Sequence, residues 1–292
     1  MSISINLSHL FSEISSRFLK IPEYFIKYSF VRNALAVSIL IALCAALLGV
    51  VLVLRRFSLI GDGLSHVAFG AATVAATLGI FDFGLTLPVT VLAAILILYT
   101  NEKRRIMGDA VIAVVSAGAL AIGYLVLDAG GGASNLGGDV CTALFGSSAI
   151  LSIDTSELIL TAIISAALIA LTVIFYYKIF SISFDERFAR ATGTKTEIYN
   201  LVIAIITAVV IVIGMKLAGA LLMSALIVFP AMSAMRICKS FKYTIIVSGI
   251  ISVICAVAGV LASILLETPV GATIAAADII AYGIFSLVGR KK

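Results

Sequence analysis

Charge is scarce in this sequence. Only 12% of its 292 residues are charged, whereas 62% are hydrophobic. Soluble domains average about 25% charged residues, so the composition excludes a soluble globular protein and indicates a multi-pass membrane protein. The formal net charge of +5 does not indicate a nucleic-acid partner, because the Lys and Arg residues of membrane proteins gather in cytoplasmic loops.

Cysteine and histidine are also rare. The four cysteines, at positions 44, 141, 238 and 255, are scattered along the chain. This spacing fits neither a disulfide framework nor a CxxC metal site, so we interpret the cysteines as small apolar residues. Of the two histidines, His9 precedes the hydrophobic spans and only His66 lies within one. The spans therefore lack the second histidine that an intramembrane metal-dependent enzyme normally has.

The common enzyme motifs are missing as well. The sequence contains no HExxH, no GxSxG and no Walker A motif. The run from Gly193 to Thr196, GTKT, lacks the Gly-Lys step of a Walker A loop. The chain therefore binds no ATP by that route, and an ATP-driven activity would need a second subunit for hydrolysis.

Residues 1–32 are predicted to form a segment separate from a membrane domain at 33–292. Phe18, Ile21 and Phe25 recur at helical spacing among charged residues, which is typical of an amphipathic helix on a membrane surface. A poorly ordered leader fits this composition equally well. The segment is not a secretory signal, because it has no continuous apolar core.

The membrane domain is predicted to be an all-α bundle of about nine spans, since a span needs about 20 apolar residues. The predicted spans are 33–54, 64–80, 85–100, 110–127, 158–180, 198–215, 218–235, 244–266 and 270–288. A further short apolar piece covers 143–151. Lys216 interrupts the hydrophobic run between two spans, and either a tight external turn or a broken helix would explain the interruption.

Five basic clusters set the predicted orientation. They lie at 55–56, 103–105, 187–195, 236–242 and 290–292. Alternating spans bring all five to the cytoplasmic side, as the positive-inside rule requires, and leave the C-terminus there. The same arrangement leaves the basic N-terminal segment outside, against the rule.

A narrow polar stripe runs along the second predicted span. On a helix, Asp62, His66, Thr73 and Thr77 fall within about 60° of one another. Ionisable groups in an apolar span suggest a function by default. A carboxylate and an imidazole one turn apart can together bind a divalent cation. Alternatively, Asp62 caps the start of its helix and His66 bonds to a neighbour, and the spacing alone leaves both interpretations open.

Three other polar residues are weaker candidates for lining a transport path. They are Thr73 in the stripe, Ser224 in the seventh span and Asp278 in the last span. Glu267 belongs to a boundary loop, and Lys216 is expected to extend its ammonium group toward the membrane surface.

Three stretches, taken in order, resemble one family. LRRFSLIGDGLSHVAFG follows the first span, FDERFARATGT follows the fifth, and LAGALLMSALIVFPAMSA forms the seventh. Together they are similar to the motifs of bacterial metal-ion ABC transporter permeases, the zinc, manganese and iron uptake group. A fourth, weaker match is ETPVGATI, with Glu267 where that family often has Asp.

The resemblance implies a fold similar to vitamin B12-type (type II) ABC importer permeases, in the bacterial cytoplasmic membrane. It implies a homodimer surrounded by lipid, a cytoplasmic ATP-binding subunit on each protomer and an extracytoplasmic metal-binding protein. The transported divalent ion would be Zn, Mn or Fe, and ATP would bind the partner. Residues matching the family's Asp-x-x-x-His are Asp62 and His66, which implies metal coordination on the path.

The resemblance also implies where the ATPase docks. In that architecture a cytoplasmic loop between late spans contacts the ATPase, which here would be the region 230–242 with Pro230, Arg236, Lys239 and Lys242. The loop 184–194 lies on the same side and would contribute through Asp185, Glu186 and Arg187.

Two other function classes compete with an ATP-driven permease. One is an ATP-independent secondary transporter, which inverted repeats would favour, and the other is an intramembrane metal-dependent enzyme. The sequence decides neither which metal is carried nor how deep the Asp62/His66 pair lies in the membrane.

Overall fold

The computed structural model describes residues 29–79, 82–104, 108–129 and 155–289, and these ranges are helical apart from short connections. They form eleven helices: α1 Ser29–Leu54, α2 Ile60–Leu78, α3 Asp82–Arg104, α4 Gly108–Ala129, α5 Thr155–Ile174, α6 Tyr176–Phe184, α7 Glu186–Ala191, α8 Thr196–Ala218, α9 Ala220–Ile237, α10 Phe241–Leu266 and α11 Val270–Gly289.

Nine of these helices have the length of a membrane span, in agreement with the predicted all-α membrane bundle. Seven of the nine are also apolar enough to cross a membrane by composition, namely α1, α4, α5 and α8 to α11. The other two are α2, which carries the polar stripe, and α3, whose apolar part shortens to Phe83–Leu98. The predicted N-terminal amphipathic helix and the short piece at 143–151 lie outside the described residues.

The centre of the bundle consists of α1, α8 and α9. In the most apolar stretch of α1, 67% of the residues are buried, against 17% in α4 and in α5. Large side chains such as Leu52, Ile211 and Leu226 are fully buried. By contrast, α4 and α5 expose large apolar side chains such as Leu125 and Val173. Such exposure is typical of helices that face lipid, because an apolar surface costs nothing there.

Three of the five predicted basic clusters, those at 55–56, 187–195 and 236–242, lie at one end of the bundle. Arg55, at the end of α1, contacts Glu186 of α7 at 3.4 Å, and a Cβ at Gly289 of α11 would meet the carbonyl oxygen of Arg236 in α9. We call this end, with α6 and α7, the basic end. The cluster at 290–292 and the side chains at 103–105 lie outside the described residues. Which side of the membrane the basic end faces stays a prediction.

The interruption at Lys216 is a tight turn. α8 continues past Lys216, and the chain turns at Gly219 (φ +90°, ψ +155°) before α9 begins at the next residue. Only glycine adopts such a backbone conformation without strain. The Lys216 ammonium lies 3.7 Å from the centroid of the Phe83 ring, a cation–π contact. The turn and the start of α3 therefore lie together at the opposite end.

Glycines let α2 and α4 pack backbone to backbone. A Cβ at Gly70 would collide with the carbonyl oxygen of Ala119, and a Cβ at Gly123 would lie 2.8 Å from the Cα of Gly70. Small residues at such crossings allow close van der Waals packing inside a membrane. This contact fixes the rotation of α2 and hence the direction of its polar stripe.

Two glycines of α4 provide a test of this packing. Gly123→Leu should destabilise the protein by about 1–3 kcal/mol, the usual cost of forcing extra atoms into a packed contact. Gly118→Leu is the matched control, because a Cβ at Gly118 meets no atom within 4 Å. Thermal unfolding in detergent should show a lowered melting temperature for Gly123→Leu alone. Equal melting temperatures for the two variants would contradict the packing.

Candidate metal-binding cleft

A cleft of about 540 Å³ opens between α2, α9 and α11. Its lining is apolar except for three side chains: the residues are Asp62, His66, Leu221, Ser224, Ala225, Val228, Phe229, Ala275 and Ile279. The three polar groups, Asp62, His66 and Ser224, bring a carboxylate, an imidazole and a hydroxyl to one wall. This cleft is the candidate site.

Asp62 and His66 face each other along α2. His66 Nε2 lies 3.5 Å from Asp62 Oδ1, with 20% and 53% of the respective side chains exposed. Leu59 occupies the N-cap position and makes no side-chain cap hydrogen bond. Asp62 therefore does not cap the helix, and its carboxylate is turned toward the cleft.

Ser224 reaches the same carboxylate from α9. Its Oγ donates to Asp62 Oδ1 at 3.3 Å, with the carbonyl oxygen of Ala220 at 3.4 Å as the alternative acceptor. Gly61 lies in this contact: a Cβ there would lie 3.6 Å from the Cα of Ser224, an ordinary van der Waals distance, and 2.9 Å from Ile227 Cδ1, so the end of the Ile227 side chain would have to shift. The close packing of α2 on α9 thus brings together two residues far apart in sequence.

The second ring nitrogen of His66 is not anchored. Nδ1 is buried and has no hydrogen-bond partner among the described residues. A histidine that binds a resident metal almost always donates this second N–H to a carboxylate, carbonyl or water, which fixes the ring. Among the described residues, His66 therefore lacks the second hydrogen bond that fixes the ring at a resident metal site.

The chemistry of the three donors suits a divalent transition-metal ion. Imidazole and carboxylate both bind such ions, and Asp62 is exposed enough for water to complete the coordination. Within the described ranges, no three His, Cys, Asp or Glu side chains lie close enough to form a metal cluster. The cleft therefore offers an ion one carboxylate, one imidazole and one hydroxyl.

The other two residues of the polar stripe, Thr73 and Thr77, are not among the residues that line the cleft. Thr73 Oγ1 donates to the carbonyl oxygen of Gly70 at 2.7 Å, and Thr77 Oγ1 donates to that of Thr73 at 2.9 Å. Thr73 is buried against α4, where a Cβ at Gly123 would lie 2.8 Å from its Oγ1. Unlike Asp62 and His66, Thr73 does not line the cleft.

Asp278 lies behind the cleft wall. It is 1% exposed, and neither carboxyl oxygen has a hydrogen-bond partner among the described residues. Its neighbours on α11, Ala275 and Ile279, line the cleft, whereas the Asp278 carboxyl lies beside the thiol of Cys255 on α10. Its predicted part in the path stays a prediction.

The predicted ATPase-contacting residues divide between two segments of the basic end. Arg236, Lys239 and Lys242 are exposed around the α9–α10 connection, while Asp185 and Arg187 are exposed at the α6–α7 junction. Pro230 is buried inside α9, so any part it has in such a contact is indirect. Glu186 is partly buried and bonded to other side chains.

The apolar lining of the cleft was missed by the sequence reasoning. Leu221, Ala225 and Val228 of α9 recur at helical spacing, as do Ala275 and Ile279 of α11. This spacing identifies a helix face but not the helix that the face packs against. Along α2, Asp62 lies on the first turn, so the pair lies toward the basic end of the bundle, and its depth in the membrane stays a prediction.

Comparisons with known proteins agree with the resemblance. A family model described as the ABC 3 transport family matches residues 27–289. The manganese transport system membrane protein MntC of Halalkalibacterium halodurans is 24% identical over 252 residues, covering 86% of this chain and 85% of MntC. A protein of Thermotoga maritima named "Probable metal transport system membrane protein" is 30% identical over 249 residues, covering 85% and 86%.

A solved structure matches the fold over nearly its whole length. PsaBC from Streptococcus pneumoniae, in complex with Fab, superposes with a TM-score of 0.79 at 27% identity, covering 92% of this chain and 95% of that chain. The helices that form the cleft therefore belong to a shared transporter architecture.

The contact between Gly61 and Ile227 predicts a repairable defect. Gly61→Ala places a methyl group against Ile227 Cδ1 and should separate Asp62 from Ser224, lowering the affinity of the candidate cleft for a divalent ion, with Mn²⁺ as the probe. Ile227→Val removes that Cδ1 atom, at a cost of about 0.5–1.5 kcal/mol, and should restore the affinity in the double variant. Electron paramagnetic resonance of Mn²⁺ titrated into the purified protein measures the Mn²⁺ affinity of the single and the double variant. If the double variant bound no better than Gly61→Ala, the packing explanation would be wrong.

Proposed function

The chain belongs to the ABC 3 transport family, and we propose that it is the membrane-spanning permease subunit of an ATP-driven importer for divalent transition-metal ions. The observation that carries the proposal is the convergence of Asp62, His66 and Ser224 on one open cleft in an otherwise apolar bundle. An ionisable pair in such surroundings lowers the stability of the protein. Binding an ion during its passage would explain why the pair is present.

Manganese is the first candidate among Mn, Zn and Fe. Two of the three donors are oxygens, and carboxylate oxygens with water suit Mn²⁺, whereas the single imidazole would also suit Zn²⁺ or Fe²⁺. The name of the similar MntC protein of Halalkalibacterium halodurans refers to manganese transport, which supports the same choice.

Passage requires that the ion also leaves. One carboxylate, one imidazole and a neutral hydroxyl provide only two of the strong ligands found in resident zinc sites, which have three or four. The half-exposed carboxylate of Asp62 and the unanchored imidazole of His66 support a transient site, at which the ion keeps part of its hydration shell. A change in the distance between α2 and α9 would separate Asp62 from Ser224 and release it.

ATP would be hydrolysed in a cytoplasmic partner that docks on the basic end. The segment α6–α7 offers Asp185, Arg187 and Phe188 as exposed side chains, and the α9–α10 connection adds Arg236 and Lys239. In this proposal the protein is a homodimer in the bacterial cytoplasmic membrane with a cytoplasmic C-terminus. An extracytoplasmic metal-binding protein would deliver the ion at the opposite end.

Removing the two strongest donors tests the site. Asp62→Ala with His66→Ala should abolish metal accumulation, because a hydroxyl and water cannot select a divalent transition metal. Asp109→Ala is the matched control, since Asp109 is also an exposed first-turn carboxylate but lies on α4. Uptake of Mn, Zn and Fe by cells measures the effect, with co-purification of the ATPase as the check on assembly. Wild-type accumulation by the double variant would refute the site.

The energy source is tested separately in proteoliposomes. The complete complex should accumulate Mn²⁺ only with hydrolysable ATP, and a partner whose Walker A lysine is replaced should support none. This chain reconstituted without its partner should not accumulate the ion. ATP-independent accumulation by the chain alone would favour the secondary transporter over the ABC importer.

A further inference from the structure

We propose that the Arg55–Glu186 ion pair transmits movement of α6–α7 to the metal-binding residues of α2. Both are positioning residues: neither lines the cleft, and each acts through the backbone that carries Asp62. The inference rests on the function proposed above and adds a route between the docking segment and the cleft.

The ion pair joins two distant parts of the chain. The Arg55 guanidinium lies 3.4 Å from Glu186 Oε2, across 131 residues of sequence. Only 7% of the Arg55 side chain and 29% of the Glu186 side chain are exposed. Burial reduces screening by water and salt, so this pair interacts more strongly than a fully exposed surface pair.

On its α7 side, Glu186 is held by more than Arg55. Asn200 Nδ2 of α8 donates to Glu186 Oε1 at 2.8 Å, and an Arg190 guanidinium nitrogen lies 3.7 Å from the same oxygen. Asp185 caps α7 by accepting from the Phe188 N–H at 3.0 Å. Glu186 therefore moves with α7 and the start of α8 as one unit.

On the other side, Arg55 begins a short turn that leads directly into α2. The Phe57 N–H donates to the Leu52 carbonyl at 2.9 Å, and the Ile60 N–H donates to the Phe57 carbonyl at 3.2 Å. Arg56 has φ +63°, a left-handed conformation that is uncommon for a residue with a side chain. The Phe57 side chain is 3% exposed. The turn is hydrogen-bonded and anchored by the buried Phe57, although Arg56 and Leu59 are exposed. A displacement of Arg55 would therefore be passed along it to the first turn of α2.

A displacement of α2 would change the position of Asp62 relative to Ser224. Asp62 lies on that first turn, whereas Ser224, 3.3 Å from it, belongs to α9. A displacement that moves α2 relative to α9 therefore changes the donor set of the cleft. Docking or movement of an ATPase at α6–α7 would in this way alter ion binding without touching the cleft.

The test compares transport with ATP hydrolysis in the complete complex, reconstituted in proteoliposomes with Mn²⁺. Arg55→Gln and Glu186→Gln should each lower Mn²⁺ uptake per ATP hydrolysed by about fivefold or more, the lower range of measured coupling between sites. Arg55→Lys should keep most of the coupling, because it keeps the charge. The double variant Arg55→Gln with Glu186→Gln should be no worse than either single variant.

Glu197→Gln is the matched control. Glu197 is an exposed carboxylate on the first turn of α8, so its replacement removes the same charge near the same segment without affecting the ion pair. Its uptake per ATP should equal that of the wild type. A merely structural role of the pair would lower uptake and ATP hydrolysis together and leave their ratio unchanged.

Three results would overturn the inference. The first is a wild-type ratio of uptake to ATP hydrolysis in Arg55→Gln. The second is an additive loss in the double variant. The third is loss of ATPase binding in Glu186→Gln while Arg55→Gln transports normally, since Glu186 would then act by docking alone. If Arg55→Gln does not fold, the Glu186→Gln variant alone tests the inference. It should fold, because the amide oxygen of the new glutamine can still accept the hydrogen bond from Asn200. A wild-type complex that hydrolyses ATP but moves no Mn, Zn or Fe would instead refute the proposed function, and the inference with it.

Discussion

The approach of α2 to α9 at Gly61 is the contact on which the candidate site depends. The two helices meet there closely enough for Ser224 to donate to the carboxylate of Asp62 at 3.3 Å, with the end of the Ile227 side chain packed beside Gly61. The cleft is otherwise apolar, and a charge in apolar surroundings is costly unless paired or hydrated. Asp62 remains half exposed, so water hydrates its carboxylate while His66 and Ser224 position it. The candidate site is therefore accessible to water and to an incoming ion.

Much of the fold could be predicted from the sequence, because the bilayer imposes strong rules. Span length and apolar composition predicted the long helices, and the basic clusters predicted which helix ends share one side. Arg55 and Glu186 lie together at the basic end as that prediction requires. The structure at Lys216 could not be predicted, since a charged residue indicates only that a hydrophobic run ends and not whether the chain turns there. The turn itself depends on the backbone of Gly219.

The site could be predicted only in part, for a physical reason. Helical periodicity predicts which residues share a face, and it correctly paired Asp62 with His66. It does not predict which neighbour each turn of that face meets. Two turns along α2, Thr73 packs against α4 and satisfies its hydroxyl on its own helix. Asp278 shares α11 with two cleft residues, yet its carboxyl lies beside Cys255. Only the packing of helices separates these cases.

The central claim is that Asp62 and His66 bind the transported ion together. Anomalous diffraction at the manganese edge, from crystals of the complete complex grown with Mn²⁺, tests it most directly because it locates the metal without assumptions about transport. We expect an anomalous peak between the carboxylate of Asp62 and Nε2 of His66, within reach of Ser224. A Mn²⁺-saturated complex with no peak in this cleft and a peak elsewhere along the bundle would contradict the account.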